Sequence, residues 1–184
     1  MDNDNADRNT TFTIAGSTAH LSHLDAQGQV RMVDVSHKQL NPRTAIAQSR
    51  VKLGSEAYRL LSAQANAKGE VLNTARIAGV LAAKRCAELI PLCHSLPLDF
   101  VGIDFSQDDT THTVTIEATC KTTHSTGVEM EAMMACSVAA LTIYDMCKAA
   151  DKHIVIEHSR LLYKSGGKSG TWQAPDLEEP SDHV

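Results

Sequence analysis

Apolar positions along the chain change their spacing several times, and each change marks a predicted element. After a turn at 25–28, residues 30–35 (VRMVDV) read as a short strand or extended segment, followed by a loop through Asn41-Pro42. Residues 44–53 place Ile46 and Val51 among polar neighbours, a strand pattern. Ser55, with Glu56 in the first turn, caps a helix to about Ala67 that stops at Gly69. Asn73-Thr74 caps a second helix over 75–90, which Pro91 ends. Gly79 in its middle costs about 1 kcal/mol relative to Ala, which predicts a close helix contact there. Residues 98–106 and 113–121 alternate around the turn 107–110 and form a hairpin. Residues 128–149 contain neither Pro nor Gly and read as one long helix of roughly 33 Å. A last strand covers 153–163.

The order β-α-α-β-β-α-β predicts an α+β fold: a ferredoxin-like β-α-β-β-α-β sandwich with an extra helix in the first crossover. Its sheet is antiparallel, with helices on one face. One domain is expected over 20–173. The Asn-, Asp- and Thr-rich stretch 1–19 and the acidic, Pro-containing 174–184 are expected to be structureless.

The long helix is apolar on almost every side, which predicts burial, including burial by another subunit. Small residues at Ala132, Ala135, Ser137, Ala139 and Ala140 admit a close neighbour. Its acids need an explanation, because a buried carboxylate is costly unless paired. Thr126 and Glu129 have capping-box spacing, which explains Glu129 without a site role. Asp145 and Lys148 are three apart and can pair on the surface. Glu131 has neither explanation. At about 100° per residue it falls within roughly 40° of the Asp145 face.

Composition narrows the classes. A hydrophobic share of 42% suffices for a core, while 4% aromatics leave that core to aliphatic and small side chains. A net charge of −5 carries no nucleic-acid footprint. No apolar run approaches about 18 residues, so no membrane span is expected. The N-terminus lacks the basic-then-apolar pattern of a secretory leader. Five cysteines, an odd number without a CxxC pair, predict reduced thiols, a cytoplasmic location and no zinc cluster.

Lys164-Ser165-Gly166-Gly167-Lys168-Ser169-Gly170 resembles a P-loop only superficially. The motif's first glycine is missing, and no helix follows. Backbone N–H groups and two lysines still suit an anion nest, against the alternative of a solvated tail. His94 lies in a Pro-bounded apolar loop, either as a core histidine or aimed at a ligand. Cys93 beside it is a weaker candidate, a histidine-activated nucleophile. Lys68 and Arg43 are each explained by solvation alone. Taken together, five cations, three acids and one histidine suit a multiply charged anion and acid–base chemistry on it. They point to a domain that binds a phosphorylated small molecule.

The segments MVDVS (32–36), TARIAG (74–79), LIPLCH (89–94), TGVEMEA (126–132), VAALTIYDMCKA (138–149) and KSGGKSG (164–170) resemble the MoaC family of molybdenum cofactor biosynthesis. The resemblance spans about 24–171. It implies cyclic pyranopterin monophosphate synthase chemistry, in which a phosphorus–oxygen lyase rearranges 3′,8-cyclo-7,8-dihydro-GTP, forms a cyclic phosphate and releases pyrophosphate. It implies a place downstream of a radical-SAM GTP cyclase, and a homohexamer built as a trimer of dimers with the pocket at the dimer interface. It also implies catalytic roles for Asp145, Lys68 and Lys148. Leu92, Cys93, His94, Glu129, Met130 and Glu131 are implied to contact substrate, and Arg43, Lys164 and Lys168 to hold the triphosphate. No protein-bound metal or resident cofactor is implied; Mg2+ arriving with the triphosphate is compatible. The chain departs from the family at Ser95, where a proline is usual, with Pro97 two residues on.

Overall fold

The computed structural model describes residues 11–14, 17–20, 23, 24, 27–64 and 69–175. Strands β1 (Thr11–Ile14) and β2 (Ser17–His20) pair antiparallel within the stretch expected to be structureless. Thr, Phe and Ile are strand-favouring types, and here they outweigh the polar residues around them. Of the turn predicted at 25–28, residues 25 and 26 lie outside the described residues. Leu24 and Val30 bridge across it, and 31–35 belong to no helix or strand.

Strands β3 (Asn41–Lys52), β4 (Phe100–Asp108), β5 (Thr113–His124), β6 (Val155–Ser165) and β7 (Trp172–Gln173) form one antiparallel sheet ordered β4-β5-β3-β6-β7. Helices α1 (Ser55–Ser62), α2 (Val71–Lys84), α3 (Cys86–Leu89) and α4 (Glu129–Cys147) accompany it. Alternation sets the inner face of the sheet. Ala45, Ala47 and Val51 of β3 join Val114, Ile116, Ala118 and Cys120 of β5 in one core with α2 and α4. The predicted hairpin forms, and the Asp108 carboxylate accepts from the Thr110 and Thr111 amides at 2.8 and 3.2 Å to close its turn.

Several boundaries move for local reasons. Asn41 and Pro42, expected in a loop, open β3. Pairing with β6 begins only at Thr44, so the missing Pro42 N–H faces an open edge. Ser55 is the first residue of α1 rather than its cap, and Gly54 holds the cap position. The helix ends at Ser62, and Ala67 lies outside the described residues. Asn73 and Thr74 sit inside the first turn of α2, where the Thr74 hydroxyl donates to the Glu70 carbonyl at 2.7 Å. The single helix predicted over 75–90 breaks at Arg85 into α2 and α3. Ile90 is extended, as a residue before proline should be.

α4 packs on β3, β5 and β6 and against α2. A Cβ at Gly79 would stand 2.7 Å from the Ala135 carbonyl oxygen and collide with Ile103. The predicted close contact is therefore there, made by α2 on α4. α4 is not buried all round. Its stripe Glu131, Ala132, Ala135, Cys136, Ala139, Ala140, Ile143 is covered, while Leu141 remains 57% exposed. By length and composition alone α4 matches a membrane span, contrary to the expectation that no stretch would. Half of it is nonetheless buried in the fold, as in a core helix.

Candidate active site

Three chain segments converge at one end of the sheet. The start of β3 supplies Arg43, the end of β6 supplies Lys164 and runs into the glycine-rich loop, and the start of α4 supplies Glu129, Met130 and Glu131. Register enforces the meeting, because Thr44 lies opposite Ser165 and Arg43 opposite Thr122. The Arg43 guanidinium donates to the His124 and Ser125 carbonyls, both at 3.2 Å, which fixes its plane. Gly166 and Gly167 hold φ of 97° and 76°, in the left-handed region. A Cβ at Gly167 would lie 2.8 Å from the Arg43 guanidinium carbon, and one at Gly166 3.0 Å from Arg43 Cδ. The glycines thus let the guanidinium lie flat against the loop backbone.

The capping box does not form: the helix cap is Val128, with no side-chain bond. Glu129 instead accepts from Lys164 Nζ at 2.9 Å, and both side chains are about one-third exposed, at 30% and 31%. A partly hydrated pair of this kind contributes up to about 1 kcal/mol, so an incoming anion can compete for the lysine. Arg43, Lys164, Lys168 and the loop line a cleft of about 680 Å³, together with His37, Lys38 and Asn41.

A second cleft of about 410 Å³ adjoins it. Leu92, Cys93, His94, Met130 and Glu131 line it, and Lys38, Thr126, Gly127 and Glu129 border both. His94 Nε2 lies 2.8 Å from the Val33 carbonyl oxygen. A carbonyl only accepts, so Nε2–H is the donor of this bond. This bond aims the imidazole without the proline usual after it. Glu131 is 4% exposed. Burial raises its carboxyl pKa above the ordinary range, and the nearby Glu129 charge raises it further. Burial and Glu131 push the Cys93 thiol up. Burial foremost carries its neighbour Cys86, and Cys120 beyond it, to about 12. A thiol so disfavoured as thiolate argues against nucleophilic Cys93.

Asp145 and Lys148 are not at these clefts. They pair at 2.7 Å on the surface, with side chains 59% and 51% exposed. The hydrogen bond and charge of Asp145 raise the Lys148 pKa. Fourteen residues separate Asp145 from Glu131, about 21 Å along the helix. The shared face expected of the two acids therefore does not bring them together within one protomer. Lys68 lies outside the described residues. Sequence reasoning missed Lys38, His37 and Asn41; the one signal for them was their place just after MVDVS. Among the described residues, no three His, Cys, Asp or Glu side chains cluster closely enough to hold a metal ion.

A family model described as "MoaC family" matches residues 32–167. A protein of Bordetella pertussis named cyclic pyranopterin monophosphate synthase is 68% identical over 157 residues, covering 85% of this chain and 98% of that protein. A Bordetella avium protein of the same name is 68% identical over 160 residues, covering 87% and 99%. One from Chloroflexus aggregans, also so named, is 52% identical over 160 residues, covering 87% and 97%. The family model's match runs from before β3 to Gly167 within the glycine-rich loop, and the chain belongs to the MoaC family.

Proposed function

We propose that the chain is a cyclic pyranopterin monophosphate synthase acting in molybdenum cofactor biosynthesis. It converts the cyclised dihydro-GTP to cyclic pyranopterin monophosphate with release of pyrophosphate. One observation carries this reading beyond the relatives' names: a cationic, glycine-lined cleft opens directly into a second cleft holding a buried acid and an aimed imidazole. A substrate with a triphosphate at one end and a fused ring at the other needs such a pair.

In this reading Arg43, Lys164 and Lys168 neutralise the charge that departs as pyrophosphate. Lys164 gives up part of its bond to Glu129 when the anion arrives. His94, Cys93, Leu92 and Met130 border the ring. Glu131, whose carboxyl pKa burial raises, is suited to donate a proton to it. Asp145, Lys148 and Lys68 act as the acid–base group on the rearranging ring and ribose atoms, and they reach the clefts from a neighbouring subunit. Three features support this: the exposure of the Asp145–Lys148 pair, its distance from Glu131, and the apolar Leu141 left uncovered beside it on α4. A homohexamer assembled as a trimer of dimers fits these uncovered surfaces. The radical-SAM cyclase that makes the substrate acts upstream. Five cysteines outside any disulfide fit a reducing compartment such as the cytoplasm. The strand order, with β3 between β5 and β6, supports the ferredoxin-like description of the scaffold.

Incubation of the full chain with the cyclised dihydro-GTP tests the reading. Pyrophosphate and a pterin that fluoresces after oxidation are expected in equal amounts. Binding of the compound with neither product would instead leave a non-catalytic nucleotide-binding protein.

A further inference from the structure

Lys38 stands where the two clefts meet, and it is the one cation lining both among the described residues. Its position is built by the backbone. Arg31 N–H donates to the His23 carbonyl at 2.9 Å, His94 Nε2–H holds the Val33 carbonyl at 2.8 Å, and the Lys38 amide donates to the Val35 carbonyl at 3.1 Å. These bonds pin the extended arm across the site and turn Lys38 inward, where it is half-buried. Among the described residues no hydrogen bond or ion pair reaches its ammonium group. The acid bordering both clefts, Glu129, is already held by Lys164. A half-buried lysine without a partner carries a desolvation cost that an anionic ligand would offset.

The chemistry of the substrate says which anion that is. A nucleoside triphosphate runs in fixed order from ring to ribose to α-, β- and γ-phosphate. If the ring occupies the cleft of His94 and Glu131, and the β- and γ-phosphates that of Arg43, Lys164 and Lys168, the α-phosphate falls at the junction. We infer that Lys38 is a further catalytic residue, whose ammonium holds the α-phosphate and stabilises it during cyclisation. This rests on the synthase reading above. In the step concerned, a hydroxyl oxygen of the same molecule bonds to the α-phosphorus. The bridging bond to the β-phosphate breaks, and its electron pair leaves with pyrophosphate, which also takes up the hydroxyl proton. Negative charge grows on the non-bridging α-oxygens as the fifth oxygen arrives, and a fixed ammonium favours that state over the ground state.

The test uses the full chain with Lys38→Met, which keeps the apolar stem and deletes the charge, and Lys38→Arg, which restores it. Turnover of the cyclised dihydro-GTP is measured beside competitive inhibition by added pyrophosphate. For Lys38→Met, kcat should fall roughly 100-fold. Inhibition by pyrophosphate, which occupies the Arg43 and Lys168 end, should stay close to wild type, and Lys38→Arg should recover most of the loss. The inference is overturned if Lys38→Met turns over at the wild-type rate. It is also overturned if pyrophosphate inhibition weakens as much as kcat, or if Lys38→Arg is no better than Lys38→Met, since either pattern marks a general or structural role. An inactive wild-type chain would remove the synthase reading and this inference with it. An active wild type with an equally active Lys38→Met would remove this inference alone.

Discussion

Gly167 and Gly170 share a backbone conformation, φ 76° and 64°, but not a neighbourhood. A Cβ at Gly167 would run into the Arg43 guanidinium, whereas one at Gly170 meets nothing within 4 Å. Gly167→Ala should therefore displace Arg43 and raise KM for the triphosphate substrate by roughly 10- to 100-fold, the loss of one charge-assisted contact. Gly170→Ala carries the same backbone strain and should raise KM far less; equal effects would show that strain alone matters. Glu131 offers a second reading at this scale. Below the ordinary carboxyl value of 4.5 the side chain is protonated whether the chain is folded or not. As pH rises past that value the unfolded chain ionises first, so stability falls until the raised native pKa is passed. Glu131→Gln lacks this decline. Thermal melts below pH 4.5 and near neutrality should show the Gln variant gaining on wild type as pH rises, and a constant difference would contradict a raised pKa. Both residues could be found in the sequence, Glu131 as an acid with no local partner and Gly167 within the lysine–glycine loop. Lys38 has only its place just after MVDVS to mark it, because a lone lysine there has no periodicity to distinguish it from a solvated one.

Elements were legible where packing and local pattern agree. β5 alternates cleanly and forms as expected, and the glycine in α2 correctly pointed to a helix contact. Gly79→Val would force side chain against the Ala135 carbonyl and Ile103, overpacking that costs about 1–3 kcal/mol. A Tm drop of several degrees in the intact protein checks this, and an unchanged or higher Tm would contradict the contact. Caps were legible only in part. Thr126 and Glu129 have the spacing of a capping box, yet the ammonium of Lys164, brought in by β6, bonds Glu129 instead. Sequence spacing reports what is near along the chain, and a tertiary cation outcompeted it. The break at Arg85 carries no signal of its own, since residues 80–90 contain neither Gly nor Pro.

At the scale of the whole molecule, the chain makes two joined clefts but leaves Asp145 and Lys148 on its surface, about 21 Å along α4 from Glu131. Helical periodicity put these acids on similar faces, and their fourteen-residue spacing already keeps them apart along the helix. Uncovered apolar residues, Leu141 on α4 with Ile77 and Leu81 on α2, are 50–63% exposed, and a second copy of the chain would bury them. In the proposed assembly each working site combines the clefts of one protomer with the acid–base pair of another. Co-assembly of Arg43→Ala and Asp145→Asn chains tests it most directly. Each variant alone should turn over little of the substrate supplied at or below the wild-type KM. In a two-fold dimer with random exchange, half the dimers are mixed and each carries one intact site, so about a quarter of wild-type turnover should return. No recovery in demonstrably mixed assemblies would contradict the claim, because a site contained within one protomer would always carry one of the two lesions.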